Sequence, residues 1–190
     1  MLCYQNEKKS DACDNKTDTA ELWDRLTGML IGLARATEGN EDLISPSTDK
    51  AVLEGLANLF AKEGCDTISA LIAQVQEEKR RLVPNCFDCA APCGRTNDYD
   101  MKQLWAADED IRSLKVLILM SIRSMAVYAC RASALGHTDR AVNGFFYKAL
   151  YAIGTDWKRD ELLAVALEAG EVGVRCVELM NRADGQCGSE

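Results

Sequence analysis

Apolar side chains recur at intervals of three and four along almost the whole chain, a spacing that restricts it to helices packed on helices. From Thr19 the series Leu22, Leu26, Met29, Leu30 and Leu33 marks one face of a helix to about Ala36, with Thr17, Asp18 and Thr19 available as caps. Ser45-Pro46-Ser47-Thr48 opens a second helix with the stripe Val52, Leu53, Leu56, Leu59 and Phe60, stopped at Gly64. Asp66-Thr67 caps a third, carrying Ile68, Leu71, Ile72 and Val75 and closing on Glu77-Glu78-Lys79-Arg80-Arg81, which reads as a solvated helix end. Asp108 to Leu135 keeps a stripe through Ile111, Leu114, Ile118, Ile122, Met125, Ala129 and Ala132 and is expected to be the longest helix, closed by Gly136. A fifth runs from Thr138-Asp139 through Val142, Phe145, Phe146, Leu150 and Ile153 to Gly154. The sixth, from Asp156, carries Leu162, Leu163, Ala166, Val174, Val177 and Met180. No segment reads as a strand, so the expected fold class is all-α. Short connections make successive helices antiparallel neighbours, which gives two three-helix bundles at 18–82 and 107–183. A cysteine-containing loop at 83–106 joins them, with an N-terminal cysteine segment at 1–17 and a flexible tail at 184–190.

Inside that loop the chain reads Cys86-Phe87-Asp88-Cys89-Ala90-Ala91-Pro92-Cys93-Gly94-Arg95, where Pro84, Pro92 and Gly94 forbid a continuous helix. Three thiols this close can direct several sulfurs at one point, and thiolates suit iron-sulfur clusters or zinc. They are one short of a closed tetrahedral set. Cys3 or Cys13 is the candidate fourth ligand, which makes Cys86, Cys89, Cys93, Cys3 and Cys13 the candidate cofactor-binding residues. The competing reading is an interbundle loop whose thiols are free or oxidise to a disulfide, with no cofactor. Arg95, Asp98, Tyr99 and Asp100 follow closely. Arg95 could donate to cluster sulfurs with Asp98 orienting it, but these four read more simply as turn formers and loop-anchoring ion pairs. Cys65, Cys130 and Cys176 read as small buried hydrophobes, and Cys187 as part of the tail.

Charge and motif content exclude several function classes. A formal net charge of -8 and a pI near 4.8 disfavour a phosphate-binding surface, so nucleic acid is not an expected partner. No apolar run approaches the roughly 20 residues of a membrane span, and Met1 to Lys9 lacks the apolar core of a signal peptide. The expected location is therefore cytoplasmic, where nine cysteines point to metal or redox chemistry before a disulfide framework. His137 is the only histidine and follows Leu135-Gly136, which reads as a helix end and not as a catalytic base. Asp108-Glu109-Asp110 reads as an N-terminal turn complementing the helix dipole. No phosphate-cradling glycine motif is present.

Met1-Leu2-Cys3-Tyr4-Gln5, Asp110-Ile111-Arg112-Ser113-Leu114-Lys115, Ala126-Val127-Tyr128, Leu135-Gly136-His137 and Gly170-Glu171-Val172-Gly173-Val174-Arg175 together resemble the N-terminal domain of the hybrid cluster proteins, the prismane or hydroxylamine reductase family. The resemblance implies two three-helix bundles, in agreement with the helix count above. It also implies an iron-sulfur cluster on four N-terminal cysteines, and here the sequence departs from the pattern. Asn6 stands where the second cysteine is expected, and no cysteine falls between Cys13 and Cys65, so that motif alone cannot close a four-thiolate site. In the family the hybrid cluster that reduces hydroxylamine takes its ligands from two further domains, and catalysis by these residues alone is not expected. The expected function is a redox-associated, metal- or iron-sulfur-binding accessory protein of an anaerobe, partnered with itself or a redox enzyme. The alternative is a cofactor-free helical interaction module on the same scaffold.

Overall fold

Capping chemistry sets the helix boundaries. The computed structural model describes residues 16–61, 64–83 and 97–187, and every regular element in them is helical. The helices are α1 (Lys16–Thr37), α2 (Pro46–Ala61), α3 (Cys65–Leu82), α4 (Met101–Ala106), α5 (Glu109–Ala134), α6 (Arg140–Gly154) and α7 (Arg159–Cys187), with a 3-10 turn at Glu41–Leu43. Asp100, Asp108 and Asp139 each accept a backbone N–H from the first turn of α4, α5 and α6. At the start of α7, Glu161 reaches back to accept the Lys158 N–H at 2.7 Å. α5 closes on Gly136 at φ +83, with Gly136 N–H donating to Ser133 and His137 N–H to Ala132. That pair of bonds is the glycine-capped end the sequence led one to expect, and it accounts for His137.

Two triplets assemble. α1 packs on α3 and α2, and α5 packs on α7 and α6. They do not have separate interiors, because α2 lies along α5 and α1 along α6, and one apolar cluster runs from Leu26 to Cys176 through every long helix. Close approach of α1 to α6 needs Gly154, since a Cβ there would stand 2.5 Å from Ile31 Cγ2. Polar ties cross the same seam. The Arg123 guanidinium donates to the Thr27 hydroxyl at 2.7 Å, and Tyr151 donates to Glu38 at 2.6 Å.

Several expectations need correction. Met101–Ala106 is helical inside the expected loop, and α7 continues to Cys187 where a tail from 184 was expected. α7, at 29 residues, exceeds α5 at 26. Phe60 is exposed, and so are Leu163, Val174 and Val177, because the inward face of α7 is instead Leu162, Val165, Ala169, Val172, Cys176, Leu179 and Ala183. The charged end of α3 is not fully solvated. Glu78 and Lys79 are buried, and Glu78 accepts from the Thr48 hydroxyl at 2.8 Å and from Arg81 at 2.8 Å. By length and composition α5 could cross a bilayer, yet it carries the buried Lys115 and supplies the core residues Ile118, Leu119, Ile122 and Ala126.

A shared interior predicts one cooperative transition. Trp23 reports on the first triplet and Trp157 on the second, each isolated by replacing the other two tryptophans with Phe. Their denaturant midpoints should coincide with that of far-ultraviolet circular dichroism. Ile31→Ala should shift all three midpoints down together, by the amount that corresponds to about 2–5 kcal/mol of lost stability. Separate midpoints for the two probes would show independent bundles.

Candidate functional site

The cysteines Cys86, Cys89, Cys93, Cys3 and Cys13, and with them Arg95, lie outside the described residues. What the structure establishes is how the scaffold holds both ends of the 84–96 segment. Lys79, on the last turn of α3, serves both. Its carbonyl accepts the N–H of Val83, the last described residue before the segment, at 3.2 Å. Its ammonium, with the side chain 4% exposed, donates to Asp98 just after the segment at 2.7 Å. The segment therefore leaves and rejoins the scaffold at one lysine.

The returning chain lies directly on α1, which two glycines make possible. Tyr99 N–H donates to Gly28 O at 3.0 Å, and a Cβ on Gly28 would stand 2.2 Å from Tyr99 O. One turn on, a Cβ on Gly32 would meet Asn97 O and Lys79 Nζ, each at 3.0 Å. Asp100 then caps α4 by accepting the Lys102 N–H at 2.9 Å. So Asp98, Tyr99 and Asp100 are loop anchors, as the simpler reading had them. Burial raises the Tyr99 phenol pKa, helped by the charges of Asp156 and Asp100.

The described cysteines contribute no second cluster. Cys176 is fully buried, and burial pushes its thiol up to about 11. Cys130 is half-buried and raised by the same cause. Both are structural hydrophobes, as expected. Cys65 is not one: it is partly exposed and disulfide-bonded, with the Thr19 hydroxyl 3.4 Å from its sulfur. Among the described residues no group of three His, Cys, Asp or Glu side chains could hold a metal ion. The described residues thus do not fit a cluster by themselves, and any such group depends on the cysteines of the 84–96 segment and the N-terminus.

No motif in the sequence marks a cleft of about 750 Å³ between the end of α1, the start of α2 and α6. Asp49 is its organising group, accepting from the Tyr147 hydroxyl and the Asn143 amide, each at 2.9 Å. Glu38, Glu41 and Asp42 make the rim acidic, and Arg140 opposes them. No nucleophile stands against a base here. A second cleft of about 510 Å³ contains Lys115, whose ammonium donates to Thr155 O at 2.9 Å. Burial lowers the pKa of Lys115 while Asp156 pulls it up.

An all-α scaffold of two helix triplets packed on one interior is the class these features define. The sequence matches the Prismane/CO dehydrogenase family over residues 2–187, and the chain belongs to that family. It is 28% identical to the hydroxylamine reductase of Desulfitobacterium hafniense (strain DSM 10664 / DCB-2) over 97% of this chain and 39% of that protein. Against the hydroxylamine reductase of Solidesulfovibrio magneticus the figures are 30%, 97% and 39%. Against that of Chlorobaculum tepidum they are 29%, 90% and 34%. The chain spans about two fifths of the length of these relatives.

Two outcomes follow from the geometry. Gly28→Ala should cost about 1–3 kcal/mol by forcing Tyr99 off α1, whereas Gly144→Ala, with open space around it, should be neutral or stabilising by about 0.5–1 kcal/mol; urea unfolding at constant m measures both. Burial and the Asp49 charge hold the Tyr147 phenol far above its ordinary value. Its neutral form belongs to the folded state, so the associated stability is intact below the ordinary tyrosine range and is lost as pH rises past about 10. Tyr147→Phe should flatten the fall in thermal midpoint above that pH while lowering stability at pH 7 through the lost bond to Asp49.

Proposed function

We propose that this chain is a redox-associated member of its family whose helices present Cys86, Cys89 and Cys93, with Cys3 or Cys13, as a thiolate site for an iron-sulfur cluster or zinc. The observation that carries this reading is the clamp at Lys79. It holds Asp98, on the far side of a segment with three of the nine cysteines, against the last turn of α3 from which that segment departs, in a fold where connections are otherwise short. Membership in the Prismane/CO dehydrogenase family adds support. The donor set suits a soft metal. An iron-sulfur group there would supply one-electron transfer, with a redox enzyme as the exchanging partner.

The role of the described residues is to hold and position. They bring together no acid, base and nucleophile, and His137 serves a helix end. A second reading rests on the same clamp. Lys79, Asp98, Gly28 and Gly32 hold residues 97–99 through protein contacts alone, which favours a cofactor-free interaction module as the alternative.

Metal content and visible absorption of protein purified without oxygen, beside a Cys89→Ser variant, test the proposal. The expected result is iron, about four atoms for a cubane cluster, with visible absorption lost in the variant; stoichiometric zinc lost in the variant would support the zinc form. Colourless, metal-free protein with a thermal midpoint unmoved by Cys89→Ser would overturn the cofactor reading in favour of the bare scaffold.

A further inference from the structure

Two buried polar side chains line the cleft of about 510 Å³ at the corner between α6 and α7, and both lack partners there. Tyr99 is 7% exposed and Lys115 5%. The Tyr99 hydroxyl is open to the cleft and makes no hydrogen bond among the described residues. The Lys115 ammonium donates once, to Thr155 O at 2.9 Å, and joins no ion pair among the described residues. Two of its three N–H groups are left over. Polar groups set this deep are ordinarily satisfied, and a buried charge above all. The carbonyl at the end of α6 offsets part of that charge and does nothing for the phenol. Both unmet groups are donors, because burial keeps the proton on Tyr99 and an ammonium cannot accept. Two donors lining one cleft call for an acceptor, and beside a buried cation an anionic one is strongest.

We propose that this cleft binds an α-amino acid with an apolar side chain, its carboxylate taken by Lys115 and Tyr99 and its ammonium by Asp156. Charge selects the class. Lys115 and Asp156 are the charged residues lining the cleft, one buried and the other exposed at the rim, and no ion pair joins them. Asp156 acts on both donors, since its charge pulls the pKa of Lys115 and of Tyr99 upward alike. A plain carboxylate seated on those donors would therefore meet Asp156 as a like charge, and a plain amine at Asp156 would meet Lys115. An α-amino acid carries both charges on neighbouring groups and offers each residue its opposite. The rest of the wall suits the side chain, for Ile111 and the half-buried Trp157 are apolar. An apolar wall with a few placed polar groups, at this volume, is the usual make-up of a small-molecule site. The inference rests on this cleft alone and stands apart from the metal reading.

Equilibrium dialysis of the full chain against L-phenylalanine and L-leucine reads the result. Each is compared with the acid that lacks its ammonium and with the amine that lacks its carboxylate. At least one of the two amino acids should bind, about tenfold or more tightly than either of its own analogues. Tyr99→Phe should weaken that binding about tenfold with an unchanged circular dichroism spectrum. Asp156→Asn should weaken the amino acid and tighten the acid without an ammonium, so that their order reverses. Lys115→Met should abolish binding of both. Because that change also removes the bond to Thr155, the Tyr99 and Asp156 variants decide the matter if it does not fold. No uptake of either amino acid at millimolar concentration, analogues bound as well as the amino acids, or binding unmoved by Tyr99→Phe and Asp156→Asn would each overturn the inference.

Discussion

The buried ammonium of Lys79 is the constraint on which the placement of the cysteine segment depends. A charge removed from water needs a partner, and Asp98 is the one the structure provides. Because that partner belongs to the returning chain, residues 97–99 are fixed against α1, and the tight glycine contacts at Gly28 and Gly32 become obligatory. Asp98 is half exposed, so water screens part of the attraction and the pair is worth less than a fully buried one. Its importance is geometric. From Asp98 the chain passes through Tyr99 and the Asp100 cap into α4 and then α5, so the position of the second triplet is transmitted partly through this one contact.

Helices were legible in the sequence because a single apolar side imposes a readable period. α3 and α6 show this best: Ile68, Leu71, Ile72 and Val75, and Val142, Phe145, Phe146, Leu150 and Ile153, are all buried as their spacing required. α7 misled for a physical reason. With apolar residues on opposite sides, its periodicity does not say which side faces inward, and Leu163, Val174 and Val177 belong to the other one. Glu78 and Lys79 were hidden differently, since local sequence cannot reveal that Thr48 and Asp98, distant in the chain, come to meet them. The pairing of triplets into one interior was equally out of reach, because the contact of Ile31 with Gly154 depends on packing between helices far apart in sequence.

Of the candidate site, the sequence supplied the thiols and the anchoring trio Asp98, Tyr99 and Asp100, but not the buried Lys79 that meets Asp98 or the Gly28 carbonyl that accepts from Tyr99. The family resemblance rested on short pieces, and two of these have explicable structural roles. Leu135-Gly136-His137 is the left-handed close of α5, and the Lys115 that ends the Asp110 run ties α5 to the corner between α6 and α7 through Thr155. Such pieces record the demands of the scaffold.

The clamp at Lys79 also separates two kinds of change open to this lineage. Because contacts with α3 and α1 hold residues 83 and 97–99, the length of the intervening stretch bears on stability through the entropy of closing it. Closure entropy rises by only about 0.6 kcal/mol for each doubling of length. A change of length in that stretch thus weighs far less on the fold than a side chain added at Gly28 or Gly32, where the neighbouring backbone leaves no room.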